Sequence, residues 1–139
     1  MAGELLLDTG ALVSVLDRSQ VLHEPCAACL RGWTGPIVTT EAVLTEATHL
    51  LGCVHRGREA CLDFVLRGGA VLVPSTRESL ARCRVLIETY ADLPMDFADA
   101  TLVTLAEELD THRILTTDRR DFEVYRIRGR KRFDVLPRP

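Results

Sequence analysis

The sequence is poor in aromatic residues and in lysine, and it contains no long apolar run. Phe, Trp and Tyr make up 5% of its 139 residues, and Lys131 is the only lysine among 17 basic residues. No stretch of eighteen apolar residues occurs, so we expect no membrane-spanning helix. The N-terminal apolar run is short and reaches Asp8, which is not typical of a signal peptide.

Cysteine is also scarce and odd in number. The 5 cysteines lack the density of a disulfide scaffold, so we expect a cytoplasmic protein with reduced thiols. Cys26 and Cys29 have a spacing that occurs in metal and redox sites, but no second cysteine pair or zinc-finger histidine pair accompanies them. We therefore expect them to be structural thiols.

Composition and charge indicate one folded domain with an uneven charge distribution. The chain is 47% hydrophobic and has no repeats or linkers, so we expect a single domain over residues 1–139. Residues 1–118 contain 17 acidic and 9 basic residues, a net charge of −8. Residues 119–139 contain 3 acidic and 8 basic residues, a net charge of +5. A protein that coats nucleic acid passively would be basic throughout.

Hydrophobic patterning predicts alternating strands and helices. Apolar runs predict strands over 4–8, 37–39, 70–74 and 113–118, with short strands near 124–127 and 133–136. Helical spacing predicts helices that begin at Thr9 and Thr40, and others over 57–67, 77–91 and 97–109. This alternation predicts an α/β fold, a three-layer α/β/α sandwich with a mostly parallel central sheet.

Several carboxylates occupy positions where solvated acids are not expected. Asp8 and Asp118 end predicted strands, and ligands of parallel sheets bind at the carboxyl ends of the strands. Glu46 and Asp99 fall within apolar helical stripes, and Asp96 lies one turn before Asp99. Carboxylates that converge repel one another unless a cation lies between them, and this oxygen environment favours Mg²⁺ or Mn²⁺.

Each of these acids also has an ordinary structural interpretation. Asp96 could be the N-cap of its helix with Asp99 in the first turn, where acids favour the helix dipole. Glu46 could lie at the rim of its helix. Asp8 and Asp118 could cap the turns that follow their strands. The four acids in this order, on this alternation, make the metal site the stronger hypothesis.

The sequence resembles the PIN domain family over essentially its whole length, and in particular the small VapC-type toxins of bacterial toxin–antitoxin pairs. Four blocks carry the resemblance: LLLDTGALVSVL, TTEAVLTEATHLL, DLPMDFADATLVTLAEEL and RILTTDRRDF. The last block, a Thr-x-Asp-x-x-Asp-Phe pattern after an apolar strand, is the most specific.

The resemblance implies a metal-dependent endoribonuclease whose catalytic acids are Asp8, Glu46, Asp99 and Asp118. Within this set Asp8 and Asp99 would be the main ligands of Mg²⁺ (or Mn²⁺), and Asp96 and Thr116 would be auxiliary. The metal would activate a water molecule for hydrolysis of RNA phosphodiester bonds. The resemblance also implies a cognate VapB-type antitoxin and a homodimer. A PIN nuclease that is not a toxin, or a catalytically silent PIN module that binds RNA, remains an alternative.

The basic residues near the C-terminus are candidates for RNA contacts. Arg119 and Arg120 follow Asp118 directly, and Arg126 and Arg128 open a basic run. They could hold phosphates, or they could be the charges that protect an edge strand from aggregation. Because few aromatic residues are available for stacking, we expect recognition of a structured RNA such as tRNA.

Three other classes share parts of this pattern. Asp8-Thr9-Gly10 matches the signature of aspartic proteases, but those enzymes are all-β, and here a helical pattern follows at once. A receiver domain would require a lysine on a late strand, and the only lysine is Lys131. The Asp-x-Asp signature of a phosphatase is absent after the first strand.

Overall fold

A computed structural model describes residues 3–139 and shows a five-stranded sheet with helices packed around it. The strands are β1 (Leu5–Leu7), β2 (Ile37–Thr39), β3 (Val71–Leu72), β4 (Arg113–Leu115), β5 (Arg126–Ile127), β6 (Lys131–Arg132) and β7 (Asp134–Leu136). The helices are α1 (Thr9–Leu16), α2 (His23–Gly32), α3 (Glu41–Leu50), α4 (Gly57–Leu66), α5 (Arg77–Thr89), α6 (Phe97–Leu109) and α7 (Arg119–Val124). The predicted α/β sandwich with a parallel sheet is confirmed.

The strand order of the sheet determines where a ligand can bind. The order is β3-β2-β1-β4-β7 and every pairing is parallel, while β5 and β6 form a separate antiparallel hairpin. From the central strand β1 the chain passes to β2 and then to β3 on one side of β1. It then crosses to β4, which pairs with β1 on the other side. The crevice between β1 and β4 is therefore the topological switch point, where open α/β sheets bind their ligands.

The core surrounds the central strand. Leu5, Leu6 and Leu7 are fully buried, as expected for a strand covered on both faces of a parallel sheet. Helix α1 packs against α2, α3 and α4, helix α5 packs against α6, and α3 also contacts α6. No helix within residues 3–139 has the length and apolar character needed to cross a membrane.

Two helices were not predicted from the sequence. Helix α2 has one buried residue, Cys26, and carries Pro25 in its first turn, so it lacks the apolar periodicity on which the prediction depends. Helix α7 ends at Val124, so the strand that the sequence indicated near 124–127 is limited to Arg126–Ile127. The third strand is also shorter than predicted, Val71–Leu72 rather than 70–74.

The cysteines are unpaired in the part of the chain that the structure describes. Cys26 and Cys29 lie three residues apart on α2, and burial raises the pKa of the Cys26 thiol to about 11. A thiol that resists ionisation is a poor nucleophile and a poor metal ligand. This agrees with a structural role for the pair.

Candidate active site

Asp8 lies at the carboxyl end of β1, where the chain turns into α1. It is the N-cap of α1, and its Oδ1 accepts a hydrogen bond of 2.8 Å from the backbone N–H of Thr9. Its Oδ2 accepts a 2.6 Å hydrogen bond from the Thr116 hydroxyl, which lies just beyond β4. Burial, reinforced by the nearby Asp118 and Asp96, raises the pKa of Asp8 to about 6 despite these hydrogen bonds. The two central strands thus fix one carboxylate in the crevice between them.

Asp99 lies in the first turn of α6 and faces the same crevice. Its backbone N–H donates to Asp96 Oδ1 over 2.8 Å, so Asp96 is the N-cap of α6. Its Oδ2 accepts a 2.8 Å hydrogen bond from the hydroxyl of Tyr125, a fully buried side chain. Burial, together with the charges of Asp96, Asp8 and Asp118, raises the pKa of Asp99 to about 8. The capping interpretation of Asp96 is confirmed, and its carboxylate also acts electrostatically on Asp99.

Glu46 extends from the middle of α3 toward the other carboxylates. Its Oε1 accepts a 2.9 Å hydrogen bond from the Thr9 hydroxyl, which lies one residue after Asp8. Burial and the proximity of Asp96 raise its pKa. A 2.8 Å hydrogen bond between the hydroxyls of Thr40 and Thr101 joins the start of α3 to α6. Helices α1, α3 and α6 are therefore tied together around the site.

Asp118 completes the predicted quartet, and the structure adds a sixth acid, Asp121. The backbone N–H of Asp118 donates to the Thr116 hydroxyl over 2.9 Å. Carboxylate oxygens of Asp99, Asp118 and Asp121 all lie within 4.8 Å of one another. Burial and the neighbouring Asp121 raise the pKa of Asp118. Asp121 was present in the Thr-x-Asp-x-x-Asp block, but without the α7 helix nothing indicated that it faces Asp118.

The donor set fits a hard divalent cation. Within residues 3–139, no lysine, arginine or histidine forms an ion pair with any of the six acids, which are Asp8, Glu46, Asp96, Asp99, Asp118 and Asp121. Converging carboxylates without a counter-charge hold protons more tightly, as the raised pKa values show. An all-oxygen anionic cluster is the environment in which Mg²⁺ and Mn²⁺ bind.

The four arginines predicted to contact RNA have different surroundings. Arg119 donates to the backbone carbonyls of Val135 and Pro137 and pairs with Glu123. Arg126 donates to backbone carbonyls at the end of α7, and Arg128 to the carbonyl of Glu107. Arg120 is exposed and has no ion pair among the described residues. Of the four, Arg120 is therefore the arginine whose guanidinium is least engaged by the protein itself.

Two open grooves flank the acidic cluster. One, of about 490 Å³, is lined by Glu46 and by the partly exposed side chains of Leu80 and Phe97. The other, of about 370 Å³, is lined by Gly10 and Thr117 and by the exposed Val21 and Leu50. At Gly10 a Cβ atom would lie 2.0 Å from the Thr117 hydroxyl, so glycine allows the loop after β4 to approach α1.

Comparison with known proteins agrees with this geometry. Residues 5–127 match the PIN domain family. The chain is 30% identical over 135 residues to ribonuclease VapC26 of Mycobacterium tuberculosis, an alignment that covers 96% of this chain and 100% of that protein.

The crystal structure of Mycobacterium tuberculosis VapC20, a toxin that cleaves the sarcin–ricin loop, superposes with a TM-score of 0.73 at 17% identity over 79% of this chain and 86% of that one. A toxin–antitoxin complex from Klebsiella pneumoniae gives a TM-score of 0.64 at 17% identity over 96% of each chain. The chain belongs to the PIN domain family, among its members of VapC type.

Proposed function

We propose that this chain is a divalent-metal-dependent endoribonuclease, the toxin of a VapBC-type toxin–antitoxin pair. The observation that carries the proposal is the convergence of six carboxylates at the switch point of the sheet without a basic partner among residues 3–139. Membership of the PIN family and the likeness to a protein named as a ribonuclease support it. Because its RNA substrate lies in the cytoplasm, we place the enzyme there.

We assign each carboxylate a role in metal binding or positioning according to where it lies in the site. Asp8 and Asp99 are the most buried of the cluster and would be the main metal ligands, while Glu46 and Asp118 would bind directly or through water. A bound Mg²⁺ or Mn²⁺ would lower the pKa of a coordinated water and neutralise charge on the scissile phosphate. Thr116 holds Asp8 in orientation through its hydroxyl. Asp96 fixes the first turn of α6 and therefore the position of Asp99.

The domain, substrate and partners follow from the same proposal. Strand β7 pairs with β4, so residues beyond the family match at 127 belong to the same sheet, which supports a single domain over 1–139. The scarcity of aromatic residues supports a structured RNA substrate such as tRNA. The apolar side chains beside the site, Leu80, Phe97, Val21 and Leu50, support burial against a VapB-type antitoxin and a second copy of the chain.

The proposal is tested with purified protein and a labelled structured RNA in Mg²⁺, Mn²⁺ or EDTA. We expect metal-dependent cleavage by the parent and none by Asp8→Asn, since asparagine keeps the N-cap but removes the charge. Asp92→Asn is the matched control, because Asp92 is an exposed aspartate outside the cluster. Cleavage that survives EDTA would refute the metal dependence, cleavage that survives Asp8→Asn would refute the role of Asp8, and no cleavage by the parent in either metal would refute the nuclease.

The toxin role needs a separate experiment in cells. Induced expression of the parent should arrest growth, Asp8→Asn should be harmless, and Asp92→Asn should be as toxic as the parent. Co-expression of the protein encoded by the adjacent gene should relieve the arrest. Normal growth on expression of an active nuclease would leave the enzyme in place and overturn the toxin assignment.

A further inference from the structure

The β5–β6 hairpin begins directly after Tyr125, which contacts Asp99, and its turn lies at the opposite end of α6 from the carboxylate cluster. The backbone N–H of Arg128 donates to Glu107 Oε2 over 2.7 Å, and its Nη2 donates to the Glu107 carbonyl over 2.7 Å. Its Nη1 also pairs with Asp110 at 3.3 Å. These contacts fix the hairpin to the C-terminal end of α6. A helix rises about 1.5 Å per residue, so Asp96 and Asp110 lie about 20 Å apart along the axis.

The turn and the second strand of this hairpin carry positive charge that the protein itself does not neutralise. Arg130, Lys131 and Arg132 are exposed, and none forms an ion pair within the described residues 3–139. Their potential acidic partners are already engaged by other arginines: Glu107 with Arg82, Asp110 with Arg128, and Asp134 with Arg113 and Arg138. These three cations are therefore available to an external anion.

Two further observations support a local excess of positive charge on a shaped surface. Burial and the charges of Lys131 and Arg113 lower the pKa of His112, which precedes β4. A depression of about 240 Å³ is lined by Arg128, Arg130 and Lys131 together with Thr111. The hairpin thus offers both charge and a concave surface.

The hairpin lacks what a protein interface requires. Its apolar residues Ile127 and Phe133 are buried against the domain, so no exposed apolar centre is present between residues 126 and 133. Protein interfaces have an apolar core with a polar rim, and charged residues are depleted from that core. Exposed arginine and lysine on a rigid support are typical of contacts to a phosphate backbone.

We propose that Arg130, Lys131 and Arg132 form a second contact site for the phosphate backbone of the RNA substrate, remote from the bond that is cleaved. This inference rests on the proposed ribonuclease function. A separation of about 20 Å spans several nucleotide steps of an RNA backbone. Structured RNAs of that extent or larger would contact both the hairpin and the acidic site, and very short oligonucleotides would contact the acidic site alone.

The test compares two variants with the same change of net charge. Lys131→Glu/Arg132→Glu alters the hairpin. Arg58→Glu/Arg67→Glu alters two exposed arginines, one in α4 and one directly after it, where the chain leads into β3 at the other edge of the sheet. Both are made in the Asp8→Asn background so that bound RNA is not cleaved. Binding of a stem-loop RNA of about 30 nucleotides and of a tetranucleotide is measured over a series of salt concentrations.

We expect the hairpin variant to bind the stem-loop at least about tenfold more weakly, with a salt slope reduced by about one to two, because each lost phosphate contact removes nearly one unit. Tetranucleotide affinity should equal that of the Asp8→Asn background. Unchanged stem-loop affinity and slope would overturn the inference, as would an equal loss in the α4 variant. An equal loss of affinity for duplex DNA of the same length would overturn the assignment to RNA. Failure of the ribonuclease itself is seen independently, as absence of metal-dependent cleavage by the parent.

Discussion

The two ends of helix α6 each carry a nearly buried acid, in opposite electrostatic surroundings. Asp99 at the N-terminal end is 9% exposed, and the Glu107 side chain near the C-terminal end is 12% exposed. Glu107 accepts two hydrogen bonds from Arg82, at 2.8 and 2.9 Å, and these lower its pKa although burial acts to raise it. Asp99 accepts one from the neutral Tyr125 and faces other carboxylates, and its pKa rises to about 8.

This difference distinguishes an acid that stabilises the fold from one that we propose binds the metal. Burial acts in the same direction on both, so it is the neighbours that decide the sign of the pKa shift. At Glu107 two arginines satisfy the charge and hold three elements together. At Asp99 the unbalanced charge destabilises the metal-free fold and is available to bind a cation.

The largest expected effect comes from Asp99→Asn, which removes the negative charge of the side chain and keeps its shape. Loss of a metal ligand should lower the rate of RNA cleavage on the order of 10³-fold. The metal-free variant should be at least as resistant to urea at pH 8 as the parent, because a repelling charge is gone. Cleavage within tenfold of the parent rate would contradict the role given to Asp99.

Glu107→Gln tests the other end of the helix and should affect stability instead. Arg82 and the Arg128 backbone lose their charged acceptor, so the free energy of unfolding should fall by about 1–3 kcal/mol in urea titrations. Mn²⁺ affinity should not change, since Glu107 lies about 12 Å along α6 from Asp99. Glu108→Gln is the matched control, because Glu108 is exposed and should tolerate the same change.

The pH dependence of stability should also distinguish the two ends. Carboxylates with raised folded-state pKa values stabilise the fold when they are protonated, and that contribution is lost as the pH rises through about 6 for Asp8 and about 8 for Asp99. The Tm of the metal-free protein should therefore fall between pH 5 and pH 9. The lowered pKa of Glu107 acts in the opposite sense, and its contribution is lost only as the pH falls into the acidic range.

Adding Mg²⁺ or Mn²⁺ should counter this loss, because the cation replaces the protons as the neutralising charge. The effect is measured by thermal unfolding at each pH with and without metal. Asp99→Asn should flatten the metal-free profile. If the Tm of the metal-free parent does not change with pH, these carboxylates do not lie close together in the folded protein.

The sequence contained the acids of the site but not the groups that surround them. Asp8 and Asp118 were found because an apolar strand ended at each, and Glu46 and Asp99 because helical spacing placed them on apolar stripes. Asp121 and Tyr125 were missed because α7 is short and polar, so its periodicity carried no helical signal. The contact of Arg82 with Glu107 joins residues 25 positions apart and depends on the packing of α5 against α6, which no local pattern encodes.

The smallest expected effect concerns Tyr125, the one group that donates to the Asp99 carboxylate from a side chain of residues 3–139. Tyr125→Phe removes the hydroxyl and keeps the ring, which packs edge-on against Tyr90 and Phe122 at centroid distances of 5.0 and 5.1 Å. If the hydroxyl orients Asp99 toward the cation, Mn²⁺ affinity should fall about tenfold, as is typical when a partner of a metal ligand is lost. The cleavage rate at saturating Mn²⁺ should then recover to near the parent value. Phe133→Leu is the control, because Phe133 packs edge-on against Phe122 at 5.5 Å, outside the helix that carries Asp121. It should lower Tm while leaving Mn²⁺ affinity unchanged. Equal Mn²⁺ affinity in Tyr125→Phe and the parent would show that the aromatic cluster supports the fold at this end of α6 without contributing to the site.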